Sequence, residues 1–377
     1  STAQFDSSMR RRGSTRDPAT CNEVLAPERR GRRASGGKMD RNAFGGLGLG
    51  LLLVLGGYVV TVMGCVGDTS GTPNDAGGGD SGSQDTGASD GPASDAGSDV
   101  TDAAVAACDP AKAFGAPQPL QGFATTANEE SAPHLAPDEL TLYFSGAGGS
   151  LTDGSSQADL FVASRVKRTD PFGTPKPLAI NTTFNEWDPS VSSDGLTLIY
   201  GFNNYAHTRV WFATRNSTLA DFSGAAALAG VASSNTSDDD QNPFVTADGA
   251  ELWFASNRSG GQGLHDIYAA PKSGSTFANP VVQSTLSSPA EDVLPTLSAD
   301  RLTIYLSSNR TGTMGGLDIW RAIRVSTQDA FPTPTIVAEL NSASDEYPGW
   351  LSPDNCRLYM TSLRTGTRDI YVATRTP

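Results

Sequence analysis

The chain has 377 residues, a net charge of −14, and only three histidines and four cysteines. That length allows one large or two small domains. The acidic balance repels phosphate backbones, which sets nucleic acid aside as a partner, and the shortage of histidine argues against a His-rich metal site.

Residues 1–38 are polar and Arg-rich, with no periodicity, and are expected to be disordered or absent from the mature protein. Met39 is expected to be the true start. After it, Arg41 supplies a positive charge, Ala43 to Met63 is apolar, and Val62-Met63-Gly64-Cys65 ends the run. Charge, apolar stretch and small residues in that order make an export signal over residues 39–65. The last four residues resemble a bacterial lipobox, which implies that Cys65 is lipidated and that the chain is held at a membrane by lipid alone. An uncleaved anchor also stays open, since about 20 apolar residues can span a bilayer, as does plain cleaved secretion. Each of these places residues 66–377 outside the cytoplasm. The lack of Asp after Cys65 points to the outer membrane, facing periplasm or surface.

Residues 66–107 consist almost wholly of Asp, Gly, Ser, Ala and Thr, with eight Asp and no basic residue. Such a stretch cannot bury enough apolar surface to offset its ordering entropy and is expected to be a disordered linker.

Residues 108–377 carry a repeat. Pro189 to Tyr200 reads as a hairpin, with Asp194-Gly195 between two apolar runs. The same stretch recurs with turn aspartates at Asp138, Asp248, Asp300 and Asp354, the last copy being read with one extra residue after its Pro348. Around it each unit repeats an F-x-x-P segment (Phe114, Phe172, Phe277, Phe331; looser at Phe222), a Gly/Ser/Asn/Arg loop and an aromatic strand such as Asp318-Ile-Trp. Four short strands in about 53 residues, apolar on both faces and without helical periodicity, are the pattern of a β-propeller blade.

The combination P-x-[LVF]-[ST]-x-D-G, S-N-R-x-G and D-I-[YW] resembles the TolB-like, WD-repeat-like propeller family of bacterial envelope proteins. The resemblance implies an all-β propeller of four-stranded antiparallel blades; such propellers are commonly six-bladed, whereas the five repeats here set the expectation at a five-bladed ring. The resemblance also implies that the N-terminal segment Phe114–Leu120 pairs with Asp369–Arg375 to close the last blade, protecting strand edges. Cys108 and Cys356 flank that closure and are candidates for a disulfide; no C-x-x-C is present.

Five acids lie three residues before the inner-strand prolines: Glu130, Glu186, Asp240, Asp292 and Asp345. In a propeller they fall at one mouth of the central channel, either concentrating negative potential for a cation or basic peptide or capping their own turns. Nothing calls for a cofactor, though the ring leaves room for a structural or channel-bound cation such as calcium. Trp187 and Trp350 are the candidate ligand contacts. Arg258, Arg310 and Arg364 are expected to pair with Asp266, Asp318 and Asp369. No G-x-S-x-G elbow is present. The expected function is a monomeric, non-enzymatic scaffold contacting an envelope protein or peptide. A carbohydrate-binding or glycoside-hydrolysing propeller with channel-mouth carboxylates is the alternative.

Overall fold

The computed structural model describes residues 108–122, 129–147, 157–232, 235 and 237–377. The export signal, Cys65 and the Asp/Gly/Ser stretch lie outside them. Among the described residues the secondary structure is all β, without helices.

The strands form five antiparallel sheets, one per repeat. Blade 1 comprises Glu129–Leu135, Thr141–Ala147, Asp159–Ser164 and Lys176–Pro177. Blade 2 comprises Asn185–Val191, Thr197–Asn203, Thr208–Thr214 and Ser223–Ala227. Blade 3 runs Asp240–Val245, Glu251–Ser256 and Asp266–Ser273, with Thr276–Phe277 and Val281–Val282 both pairing with the third strand. Blade 4 is Asp292–Leu297, Thr303–Ser308, Asp318–Ile323 and Thr335–Ile336. Blade 5 is Glu346–Leu351, Arg357–Ser362 and Asp369–Thr374, completed by Gln118–Pro119 from the start of the described residues. The first strand of each blade packs against that of the next, and the fifth against the first. This is a closed five-bladed propeller with the first strands innermost.

Closure follows the expected pairing. Gln118 sits opposite Val372, Pro119 opposite Tyr371, and Phe114 bridges to Arg375. A disulfide joins Cys108 to Cys356 beside this seam. On its other side Glu139 of blade 1, fully buried, accepts two hydrogen bonds from Arg357 of blade 5, each at 2.7 Å.

The apolar runs of the middle strands explain the packing. Successive residues of one strand point to opposite faces, and both faces meet a neighbouring blade. Ile304 and Leu306 pack toward blade 3, while Tyr305 between them packs toward blade 5. The core is therefore five inter-blade layers rather than one centre. A polar stitch repeats between layers: Arg215 donates to the Tyr143 hydroxyl of the preceding blade (2.9 Å), as Arg165 does to Tyr359 (3.1 Å) and Arg375 to Tyr305 (2.9 Å). The same arginines stack on the F-x-x-P phenylalanines, 4.2–4.3 Å from the ring centres.

The turn aspartates serve the hairpins. Asp194 Oδ1 accepts from the Ser192 hydroxyl (2.6 Å) and the Leu196 amide (2.9 Å), and Asp248, Asp300 and Asp354 repeat this. The next residue is left-handed in every copy: Gly195 and Gly249, but also Glu139, Arg301 and Asn355 at φ of 59–62°.

The disulfide closes a loop of 248 residues, for which chain entropy sets a ceiling of about 5 kcal/mol. Reduction, or the double variant Cys108→Ser/Cys356→Ser, should lower the thermal midpoint by several degrees. An unchanged midpoint in the scan would show that the strand pairing closes the ring unaided.

Candidate functional site

Each inner strand presents the same four positions in succession at the axis. The first is the rim: Glu129, Asn185, Asp239, Glu291 and Asp345. Each rim residue bonds to the start of the third strand of the preceding blade. Asn185 accepts from the Ala158 amide (3.1 Å), Asp239 from Thr208 (2.6 Å) and Asp345 from Leu317 (2.9 Å). Glu291 meets the His265 ring (2.7 Å) and Glu129 pairs with Arg368 (3.1 Å). The rim holds adjacent blades together.

The second position is a ring of carboxylates: Glu130, Glu186, Asp240, Asp292 and Glu346, each at most 2% exposed. Four are the acids picked out in the sequence, but the fifth is Glu346 and not Asp345. Register explains the correction. Glu346 opposes Ser362 as Asp240 opposes Ser256 and Asp292 opposes Ser308. Blade 5 has no extra residue; its proline sits one place earlier, with Gly349 where the other blades have proline.

These acids do not open onto the channel. Asp240 is paired with Arg258 and accepts from the Ser256 hydroxyl (2.7 Å). Asp292 is paired with Arg310 and accepts from the Ser288 amide (2.6 Å) and hydroxyl (2.8 Å). Glu346 accepts from the hydroxyls of Ser342 (2.5 Å) and Ser362 (2.8 Å), with Arg364 at 3.6 Å. The S-N-R loops thus send their arginines to the inner strand, not to Asp266, Asp318 and Asp369. Those aspartates cap the loops, Asp266 accepting from the amides of Gln262 (2.8 Å) and Gly263 (3.1 Å) and Asp369 from the hydroxyls of Thr365 (2.7 Å) and Thr367 (2.9 Å). Blade 2 has no arginine in this loop. Its Glu186 is held by the Thr182 hydroxyl (2.5 Å), and burial pushes its carboxyl up.

The third and fourth positions line the mouth. The wall is Ser131, Trp187, Gln241, Val293 and Tyr347, and the throat begins with Ala132, Asp188, Asn242 and Leu294. Together they enclose a depression of about 480 Å³. The throat residues bulge each inner strand at φ of 51–53° before a proline, a conformation that costs about a kcal/mol or more for a residue such as leucine. Trp187 is half-buried in the wall. Trp350 is not: it is 7% exposed and packs between blades 5 and 1 beside Tyr359, on the far side of the throat. Trp211, Trp253 and Trp320 belong to inter-blade layers.

Below the wall Asn242 Nδ2 donates to Asp188 Oδ2 at 2.6 Å. Burial pushes Asp188 up to about 6, against the opposing pull of Asn242 and Arg368. Deeper still, His134 is buried, donates to the Val191 carbonyl (3.0 Å), and is pushed down to about 4 by desolvation. Sequence reasoning missed Asp188 and Asn242. Their only signal was their place directly before an inner-strand proline.

The two groups pull stability in opposite directions with pH. An unfolded histidine titrates near 6.5, so as pH falls from 6.5 to 4 the unfolded state binds the extra proton and stability drops. An unfolded aspartate titrates near 3.8, so between 6 and 3.8 the folded state binds the extra proton and stability rises. Relative to the unmodified chain, Asp188→Asn should lose thermal midpoint on acidification from pH 6 to 4, and His134→Gln should gain. Profiles for both that parallel the parent would refute these assignments.

No protein-family model matches the chain, and no curated protein does. Solved structures similar to it include TolB proteins and glycoside hydrolases. TolB from Acinetobacter baumannii shares 13% identity, with 66% of this chain and 56% of that chain covered and a TM-score of 0.40. A thermostable family-43 glycoside hydrolase shares 13% identity over 68% of this chain and 91% of that one, at 0.45. A putative glycoside hydrolase from Parabacteroides distasonis shares 12% over 70% and 96%, at 0.49. This chain spans little more than half the length of that TolB. The likeness is one of fold.

Proposed function

We propose that the chain is a non-enzymatic binding protein of the bacterial envelope, a TolB-like propeller that receives a segment of a protein partner in its axial mouth. One observation carries this reading. Five copies of one unit in one chain form an internal alignment. Positions that hold the fold repeat: rim, buried carboxylates, turn aspartates and inter-blade arginines. Wall and throat positions face one shared cavity and do not repeat. They run Ser-Trp-Gln-Val-Tyr and Ala-Asp-Asn-Leu-Pro around the axis. Residues free of the repeat, and gathered at one concave site, are where recognition resides. The sequence signal at residues 39–65 supports export, with Cys65 as lipid anchor.

The alternative is a carbohydrate ligand, favoured by the flat rings of Trp187 and Tyr347 and the side-chain amides of Gln241 and Asn242 that line the same mouth. Immobilised, detergent-solubilised full chain should retain a specific envelope protein, and the Trp187→Ala chain should not. If both capture the same proteins, the mouth is not the binding face. Retention or cleavage of polysaccharide instead, lost in Trp187→Ala, would replace the protein reading with the carbohydrate one.

A further inference from the structure

The throat has a donor–acceptor imbalance that specifies the chemistry of its ligand. Asn242 spends an N–H on Asp188, and an amide facing a carboxylate must point its nitrogen there. Its Oδ1 is thereby turned away, buried and without a partner among the described residues. A buried acceptor left unmade costs about 1–3 kcal/mol, so this oxygen calls for a donor. Asp188 and Asn242 line both the mouth and a second void of about 20 Å³ just below it. That volume holds one water-sized group. Above it stand the half-buried rings of Trp187 and Tyr347. Among the described residues lining the mouth the one cationic side chain is Arg368, and it is engaged with Glu129. His134 beneath spends its Nε2 proton on Val191.

The floor of the site therefore offers a carboxylate and an amide oxygen that lacks a donor, with aromatic rings at the sides. We propose that the mouth recognises a primary ammonium group of the partner, a lysine side chain or a free N-terminal amine. Its N–H groups bond Asp188 and Asn242 Oδ1, and its carbon stem lies along Trp187 and Tyr347. Ammonium fits three ways: it is all donor, it carries the charge that offsets Asp188, and it is compact enough for the void. Aromatic faces add cation–π attraction. A guanidinium is planar and wider than the void, and a sugar hydroxyl brings no charge. The inference rests on the mouth being the protein-binding face.

Four capped or uncapped peptides test it by calorimetry and by Trp fluorescence on the full chain: Ac-Gly-Lys-Gly-NH2, Gly-Gly-Gly-NH2, Ac-Gly-Arg-Gly-NH2 and Ac-Gly-Gly-Gly-NH2. Binding of the first identifies a lysine side chain, and binding of the second an N-terminal amine; the last should not bind. Asp188→Asn, which suits the left-handed backbone, should weaken the amine about tenfold or more, the loss expected for one charge-assisted hydrogen bond. Asn242→Ala should weaken it too, while Lys176→Ala on the outer strand of blade 1 should not. The inference is overturned if the fully capped or the arginine peptide binds as well as an amine, if Asp188→Asn leaves affinity unchanged, or if no amine binds at 50 mM. Should the amines fail while protein capture still depends on Trp187, only the ammonium inference falls. If capture is also indifferent to Trp187, the binding-face reading falls with it.

Discussion

Everything at the mouth depends on five carboxylates that never reach it. A charge buried without a partner costs several kcal/mol, and pairing it well is the way a fold keeps it. Asp240, Asp292 and Glu346 are kept by arginines from the loop after the second strand, and by a serine opposite or four residues upstream. Each pair ties that loop to the inner strand. The rim residue next to it then reaches across to the preceding blade. Loop, inner strand and neighbouring blade are fixed together, so the residues one and two places further along are presented at the axis on a rigid ring.

That division of labour explains why the same strand carries both repetition and variety. Structural positions must satisfy the same neighbours five times over, so they converge on acid, arginine, serine and aspartate. The wall and throat side chains face one cavity and are released from that five-fold demand. There the chain places an indole, a carboxylate and two amides on the adjacent blades 2 and 3, the Tyr347 ring across from them on blade 5, and small or aliphatic residues on blades 1 and 4. Such an arrangement is off-axis, and it suits a ligand without five-fold symmetry.

Much of this was legible in the sequence. The turn aspartates and doubly apolar strands gave the period and the blade count, because each is a local feature; the closing strand came from the family resemblance. Cys108 and Cys356 stood where closure would bring them together. The site was less legible. Anchoring the inner strand on its proline chose Asp345 over Glu346, since blade 5 moves that proline by one place, and only cross-strand register sets the frame. The Arg258 and Arg310 partners were misjudged because Asp266 and Asp318 are nearer in sequence, whereas the inner-strand acids are nearer in space. Asp188 and Asn242 could not be placed at all, since a bulge, not a strand, aims them at the axis. Trp350 looked like Trp187 in sequence but falls after its bulge, on the side that faces the core.

The most direct test measures thermal unfolding and partner retention on the same three proteins: the parent chain, Arg310→Ala and Gln241→Ala. Arg310→Ala leaves Asp292 buried and unpaired, and should cost about 3–5 kcal/mol of stability while the folded fraction still binds. Gln241→Ala should keep the midpoint and lose retention. If stability and retention instead fall together in both variants, the mouth is framework like the rest of the ring, and the separation of fold from recognition is wrong.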